Sequence, residues 1–508
     1  MLESFITSAP KIAAMLFTPQ VLLCILLGCV GGMIIGALPG LSANMGIALM
    51  IPFTYSLSPV AAIAMLMTIY TSAITGGSIS AILIHTPGTP SSAATALDGY
   101  PLTLQGKGLT ALGTSMVSSM VGGFCSGLAL LVISPILAAV ALKFGSAENF
   151  FLAVFGLSII ASLASDSLSK GLIAGFIGLF FCTIGIDNNS AYARFTFGNM
   201  QLLGGIPIVP ALIGLFSIPQ VLTQLDKAIN ADKQQKQEIH SADGRLLPPW
   251  KEFKTLIPTI ITSTILGIGV GILPGAGGNI GSWVGYNAAK QRSKHPEMFG
   301  KGALEGVCAS EAANNAVTGG ACIPMMTLGI PGSAAAAVLM GGLMIHGMTP
   351  GGDLFTKKAD ITYSIILGFL IANIFMGIIG LLIAKYVIHV TKVPLGILCP
   401  IIVVLSVVGS YAISNTMYNV YVMAVFGLLG FFMKKANFPA SATVLALILG
   451  SMAETGLRES LVMANGKNIM LYFFERPVSV GIMVLIVLCG IWPAIKEQLD
   501  KKKAKAEV

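Results

Sequence analysis

Apolar stretches of about twenty residues recur from end to end of the chain, at 117–141, 361–384, 395–408 and 477–493. An α-helix needs roughly 20 such residues to cross the hydrocarbon core of a bilayer. Only 10% of the 508 residues are charged, whereas about a quarter of the residues of a soluble protein are charged. The sequence therefore predicts an all-α polytopic membrane protein with about ten to twelve transmembrane helices.

The sequence contains an internal duplication. The stretch "GALPGLSANMG" (36–46) matches "GILPGAGGNIG" (271–281), and a later pair follows in the same order. In that pair, "TGGSISAILIHTPGTPSSAATALDG" (75–99) matches "TGGACIPMMTLGIPGSAAAAVLMGG" (318–342), with Thr75-Gly76-Gly77 aligned to Thr318-Gly319-Gly320 and one gap before the Pro-Gly pairs. Two motif pairs in one order indicate a repeat. We expect a first membrane repeat at 1–221, a linker at 222–254, a second repeat at 255–495 and a basic tail at 496–508.

Charge predicts the orientation of these parts. Lys and Arg collect in the linker, in 289–301 and in the tail, and cytoplasmic loops are rich in both residues. The matching exit of the first repeat, 53–59, has no charge, which favours an inverted repeat. We place the linker and the C-terminus in the cytoplasm. This placement accounts for most of the net charge of +8 without a nucleic acid partner.

Glycine and proline interrupt the apolar segments at matching places in the two repeats. Pro39 and Gly40 in the first repeat correspond to Pro274 and Gly275 in the second. Irregular backbone at membrane depth survives only where protein buries it or where it lines a wet cavity. Paired interruptions therefore indicate a transporter site near the bilayer midplane, where half-helix N-termini bind anions and free carbonyls bind cations.

The predicted substrate-binding residues lie in the second motif pair. The two Thr-Gly-Gly runs are expected to break their helices, and the two Pro-Gly runs are expected to form the tips of re-entrant hairpins. Each tip opens a new helix whose first N–H groups could bind a carboxylate. The predicted residues are Thr75, Gly76, Gly77, His85, Pro87, Gly88, Thr89, Ser91, Thr318, Gly319, Gly320, Pro331, Gly332 and Ser333. For His85, a structural role and a ligand role both remain open.

Amide and carboxylate oxygens are the predicted ligands of a coupling cation. The candidates are Asn44, Asn279, Glu311, Asn314 and Asn315. Glu311 lies four residues before Asn315, so the two could share a helix face. We expect no cofactor, and no metal other than a transported sodium ion. Asp98, Glu305 and Asp353 are expected at membrane edges.

With these motifs identified, the chain resembles the large membrane subunit of the tripartite tricarboxylate transporters of bacteria. The resemblance rests on "TPGTPSSAATALDGYPL" and "EAANNAVTGG" together with both G-x-L-P-G copies. It implies uptake of carboxylates across the bacterial inner membrane, driven by a sodium or proton gradient. It also implies a periplasmic substrate-binding protein and a small membrane subunit as partners. His85 is a departure, because similar proteins more usually carry Asn there.

Other functions remain to be weighed against transport. A channel or a passive carboxylate pore could also use re-entrant glycine-rich loops. An enzyme is not expected, since the sequence contains no G-x-S-G or G-x-G-D site and no phosphate-binding G-x-x-x-x-G-K-[ST] loop. We expect alternating access of the elevator type, with the broken regions sliding against the long helices. A homodimer is left open.

Overall fold

The computed structural model describes residues 2–38, 40–163, 168–187, 190–230, 245–387 and 395–488. Pro39, the middle of the predicted linker and the predicted tail lie outside the described residues. Helices form most of the described chain. They are α1 Leu2–Leu16, α2 Pro19–Ala37, α3 Ala43–Thr54, α4 Pro59–Ile84, α5 Ala93–Leu104, α6 Gly108–Ala141, α7 Ser146–Leu163, α8 Leu168–Cys182, α9 Ile208–Asn230, α10 Trp250–Ile272, α11 Gly277–Arg292, α12 Leu304–Leu328, α13 Ala334–Ile345, α14 Ala359–Val387, α15 Leu395–Ala412, α16 Met417–Lys435, α17 Ala440–Met463, α18 Ile469–Phe474 and α19 Pro477–Leu488.

The chain is an all-α polytopic membrane protein, as predicted. Among the described residues, eight helices are long and apolar enough to cross a membrane: α2, α4, α6, α9, α10, α14, α16 and α17. The two strands, β1 Gly185–Ile186 and β2 Ala193–Arg194, form one short antiparallel hairpin. The total of ten to twelve crossings stays a prediction, because several further apolar helices are short.

Two helices, α4 and α12, lie at the centre of the molecule. Every residue of α4 from Val60 to Ile84 is buried, and so is every residue of α12 from Gly306 to Thr327. Both helices end in a left-handed residue, His85 after α4 and Gly329 after α12. This conformation satisfies the last carbonyls of a helix and turns the chain sharply. The chain therefore re-enters the molecule after each central helix.

Small residues bring the neighbours of the central helices very close. A Cβ on Gly36 of α2 would lie 2.0 Å from the Ala73 carbonyl oxygen of α4. Gly271 of α10 takes the same role in the second repeat, where an added Cβ would lie 2.8 Å from the Val317 carbonyl oxygen of α12. Gly36 and Gly271 match each other in the sequence repeat, so the duplicated motif encodes a duplicated helix contact.

The prediction that the Thr-Gly-Gly runs break their helices is wrong. Helix α4 continues through Thr75, Gly76 and Gly77, and α12 continues through Thr318, Gly319 and Gly320. The glycines are needed for close contact between helices: a Cβ on Gly76 would lie 2.5 Å from the Met33 carbonyl oxygen. The threonine hydroxyls donate to the preceding turn of their own helix, Thr75 to Thr71 O and Thr318 to Asn315 O.

The structure also shifts the repeat alignment by one residue. Gly320, rather than Gly319, packs against α10 as Gly76 packs against α2, because its added Cβ would lie 2.8 Å from the Ile268 carbonyl oxygen. In the next position, Gly77 O accepts a hydrogen bond from Gly88 N at 3.1 Å. Ala321 O likewise accepts from Gly332 N at 3.3 Å. Residues 76–88 therefore correspond to residues 320–332 without a gap, and the two Thr-Gly-Gly runs are offset by one residue.

Helices α4 and α12 run in opposite directions where they meet. Thr71 of α4 bonds to Asn315 of α12, whereas Ser78 of α4 reaches Glu311 of α12. Residue numbers thus rise along one helix as they fall along the other. Within a repeat the order is parallel, since Gly32 and Gly36 of α2 contact successively later residues of α4.

The remaining helices form a second group. We call α2, α4, α5, α6, α10, α11, α12 and α14 the core group, and α7, α8, α9, α15, α16 and α17 the outer group. Helix α16 packs mainly on α9, and α17 packs mainly on α7 and α8. The short helices α3 and α13, which follow the chain interruptions, contact both groups. Helices α3 and α13 therefore lie at the border between the groups.

Candidate functional site

The interruptions and the two hairpin tips converge on the crossing of the central helices. Tip 1 is Thr89–Ser92, which ends in a short 3-10 turn before α5. Tip 2 is 331–333, directly before α13. The polar residues Tyr70, Thr71, Asn314, Asn315 and Ser333 are buried between these elements, and we call them the polar junction.

Tip 2 is held in place by hydrogen bonds of Ser333 and by close packing of Gly332. Ser333 caps α13 by accepting from Ala336 N at 3.1 Å, and its hydroxyl pairs with the Tyr70 hydroxyl at 2.7 Å. Gly332 has no room for a side chain, because a Cβ would lie 2.2 Å from the Gly271 carbonyl oxygen. The interruption at Gly271–Pro274 thus seats the second tip.

Tip 1 is bound to the first repeat in the same manner. A Cβ on Gly88 would lie 2.0 Å from the Gly36 carbonyl oxygen, so the tip rests on the end of α2. Ser92 donates to Gly77 O at 3.0 Å, and the hydroxyls of Thr89 and Ser91 pair at 3.1 Å. The small polar residues of "TPGTPSS" therefore hold the tip against α4.

Asn314 is the unsatisfied member of the junction. Its side chain is completely buried, yet neither Oδ1 nor Nδ2 has a hydrogen-bond partner within the described chain. A Cβ on Gly278 would lie 2.5 Å from Asn314 Oδ1 and 3.4 Å from the Ser91 Cβ. The amide therefore lies between tip 1 and the first turn of α11. A buried amide without partners costs about 1–3 kcal/mol, which a ligand would recover.

The first turn of α11 supplies further donors at this point. The first N–H groups of a helix have no acceptor within the helix, and they carry partial positive charge. Gly277 N donates to Gly332 O at 3.2 Å, which ties the start of α11 to tip 2. Gly278 adds no side chain, so the backbone of this turn lies directly beside the Asn314 amide. This combination of N–H groups and an amide suits a carboxylate.

A trio of oxygens lies on the other side of the crossing. The Thr71 hydroxyl is 3.0 Å from Asn315 Oδ1 and 2.8 Å from Asn373 Oδ1. One hydroxyl proton can serve only one of these acceptors. Asn315 Nδ2 is buried without a partner in the described chain. Of these three oxygens only the Thr71 hydroxyl carries a proton, so one of the two amide oxygens receives no hydrogen bond from Thr71.

The predicted substrate and cation residues separate into two sets. The structure brings Ser91, Ser333, Asn314 and Asn315 together around the junction. Asn44 is half-buried in the first turn of α3, and Asn279 is exposed in the first turn of α11. Tyr70, Thr71 and Asn373 were missed. Thr71 lies one helical turn before Thr75, so a helical reading of that segment finds it, and Asn373 is a polar residue inside an apolar helix.

His85 lies at the end of α4 and not at the tip. Its backbone is left-handed, with φ of 53°, and its exposed ring stacks on Tyr100 with centroids 4.6 Å apart. Asn tolerates this conformation better than most residues. The presence of His85 in place of the more usual Asn therefore changes the residue that caps the end of α4.

Glu311 is buried one turn before Asn314 and Asn315. Thr95 of α5 donates to its Oε1 at 2.5 Å, and Ser119 of α6 donates to its Oε2 at 3.0 Å. No Lys, Arg or His side chain pairs with Glu311 in the part of the chain that the structure describes. Among the described residues, the bonded partners of this carboxylate are hydroxyl groups.

Asp98 is also buried within the protein, and its expected place at a membrane edge stays a prediction. Its Oδ1 accepts from the backbone N–H groups of Gly300, Gly302 and Ala303 at 2.8–2.9 Å. Its Oδ2 accepts from the Tyr286 hydroxyl at 2.9 Å. These bonds tie α5 to α11 and to the loop before α12. Asp353, by contrast, is exposed and pairs with Lys357 at 2.8 Å.

Comparisons with known proteins agree with this architecture. The model of the tripartite tricarboxylate transporter TctA family matches residues 22–445. An uncharacterised 52.8 kDa protein of the TAR-I ttuC′ 3′ region of Agrobacterium vitis is 34% identical over 95% of this chain and 96% of its own length. A protein of the TAR-II ttuC′ 3′ region of the same organism is 31% identical over 46% of this chain and 96% of its own length. No solved structure matches.

Proposed function

The chain belongs to the tripartite tricarboxylate transporter TctA family, and on that premise we propose that it takes up tricarboxylates or related, citrate-like carboxylates by secondary transport. Uptake is coupled to a sodium or proton gradient across the bacterial inner membrane. A periplasmic binding protein delivers the carboxylate, and a small membrane subunit completes the transporter. The linker 222–254 and the C-terminus lie in the cytoplasm.

One observation carries the proposal for the substrate site: the orphan amide of Asn314 between tip 1 and the start of α11. A carboxylate there accepts hydrogen bonds from Nδ2 and from the first N–H groups of the helix. Ser91 and the other tip hydroxyls supply further donors. No arginine is needed, because backbone donors and the helix dipole carry the recognition.

The position of α3 and α13 at the border between the two groups supports alternating access of the elevator type. We place α3, α13 and both tips in the moving part, which slides with the core group against the outer group. Opposed directions of α4 and α12 support an inverted repeat, the symmetry that lets one site face either side in turn. Asn44, Asn279, Asn314, Asn315 and Glu311 stay predictions for coupling.

Reconstitution of the chain with its binding protein and small subunit in liposomes tests the proposal. We expect saturable uptake of labelled citrate that requires the binding protein and an imposed sodium or proton gradient. Succinate serves as the dicarboxylate comparison. Uptake that ignores both gradients, or a conductance that does not saturate, would identify a passive pore instead.

A further inference from the structure

Hydroxyl groups surround the Glu311 carboxylate on several sides. Besides Thr95 and Ser119, the hydroxyls of Ser115 and Ser78 reach the same carboxylate, and these two serines pair with each other at 2.8 Å. The Thr95 hydroxyl also lies 2.9 Å from that of Ser310. Four helices, α4, α5, α6 and α12, therefore contribute oxygens to one enclosed point.

No Lys, Arg or His side chain of the described residues is placed to neutralise a charge on the Glu311 carboxylate. The 2.5 Å bond from Thr95 is in the range of hydroxyl bonds to ionised acceptors, 2.5–2.7 Å. Its titratable neighbours Asp98, Tyr286 and Glu305 are acids, which supply no positive charge, and each is bonded elsewhere. An isolated ionised carboxylate is costly to bury, and either a bound cation or a proton removes that cost.

We propose that Glu311, with the hydroxyls of Thr95, Ser119, Ser115 and Ser78, binds the sodium ion that drives uptake. This proposal rests on the proposed secondary transport. A hard cation is held by several oxygens at once, whereas a proton would use one. Hydroxyl groups can rotate their protons outward and present lone pairs to the ion.

The Glu311 carboxylate and the four hydroxyl groups around it, which we call the cage, also link the sodium ion to the substrate carboxylate by their position. Thr95 lies one turn after Ser91 of tip 1, and Glu311 lies one turn before Asn314. An ion between Thr95 and Glu311 therefore fixes tip 1 relative to the orphan amide. Sodium should raise citrate affinity, and citrate should raise sodium affinity by the same factor, because coupling between two sites is reciprocal.

Direct ion binding tests the cage without transport. Radioactive sodium is titrated by scintillation proximity onto the full-length protein in lipid nanodiscs, without carboxylate and without a gradient. We expect saturable binding by the parent protein and at least about tenfold weaker binding by Glu311→Gln, with a smaller loss in Thr95→Val and Ser119→Ala. Glu305→Gln, on the same helix, is the matched control and should bind as the parent does.

Three outcomes separate the alternatives. Parent-like sodium binding by a correctly eluting Glu311→Gln variant would overturn the proposal. Absence of sodium binding, with a melting temperature that depends on pH only when Glu311 is present, would show that the cage takes a proton. Sodium binding that needs Glu311, in a protein that takes up no carboxylate, would leave the ion site standing and refute the proposed transport function.

Discussion

At the residue scale, burial and hydrogen bonding distinguish polar side chains that the sequence presents alike. Asn44 and Asn279 lie in the repeated G-x-L-P-G motifs, Asn314 and Asn315 lie just before the second Thr-Gly-Gly run, and each could be a ligand by composition. Only Asn314 is buried with its whole amide unpaired in the described chain. Natural structures rarely leave such a group alone, so this exception favours the ligand site that we propose at Asn314.

Replacing Asn314 by Ala should weaken citrate uptake. A hydrogen bond to a charged group contributes about 1.5–3 kcal/mol, so the apparent affinity should fall by roughly ten- to a hundredfold. Uptake by reconstituted protein measures the change. Asn419→Ala is the matched control, since its buried Nδ2 also has no described partner but lies in the outer group. Equal uptake by both variants would remove Asn314 from the site.

Replacing Asp98 by Asn should destabilise the protein without touching the junction directly. The amide cannot accept from three backbone N–H groups and from Tyr286 at once, because one of its two atoms is a donor. We expect a loss of roughly 1.5–3 kcal/mol for the bond to the charged acceptor that fails. Thermal unfolding in detergent reports it, with Tyr286→Phe as the milder comparison. An unchanged melting temperature would contradict this account.

At the element scale, part of the architecture could be predicted and part could not. Apolar length predicted the membrane helices, and paired Gly and Pro predicted the interruptions at Gly40 and Gly275. Composition alone could not show that the glycines of the Thr-Gly-Gly runs serve helix contact. Glycine is compatible both with a break and with close packing in lipid. The partner that decides, α2 for Gly76 and α10 for Gly320, is distant in sequence.

The candidate site follows the same division. Tips 1 and 2 were predictable from Pro-Gly pairs followed by small helix-forming residues. The contribution of Tyr70 and Thr71 was not, because it depends on where α4 crosses α12. Likewise the hydroxyl cage of Glu311 collects residues from four helices that no local motif connects.

Replacing Gly36 by Ala should separate α2 from α4. The new methyl group would lie 2.0 Å from the Ala73 carbonyl oxygen, and such overpacking costs about 1–3 kcal/mol. Gly31→Ala on the same helix is the control, because a Cβ there meets nothing within 4 Å. Thermal unfolding of both variants tests the expectation. A Gly36→Ala variant as stable as the control would show that the helices part without cost.

At the scale of the whole molecule, the border between the core and outer groups is where relative movement would occur. Helices α3 and α13 lie at this border and are each directly preceded by a chain interruption. A domain that slides must change its contacts with its surroundings while keeping its own interior packed. The closely fitted α2–α4 and α10–α12 pairs suit the interior of such a unit.

A cross-link across the border should stop transport. An added Cβ on Gly341 of α13 would lie 2.8 Å from the Leu212 side chain of α9. We expect the Leu212→Cys, Gly341→Cys pair, in a background without native cysteines, to lose citrate uptake when cross-linked and regain it on reduction. Each single variant serves as control. Full uptake by the cross-linked protein would rule out sliding at this border.

The correspondence between Gly88 and Gly332 has a stoichiometric consequence. The same spacing relates Met67 to Glu311 and Tyr70 to Asn314. After duplication, the ionisable group and the amide therefore occur in one copy, while thioether and phenol occupy the equivalent positions in the other. With the proposed substrate site at Asn314, one polypeptide has one such site, and we expect it to transport a single carboxylate molecule per cycle.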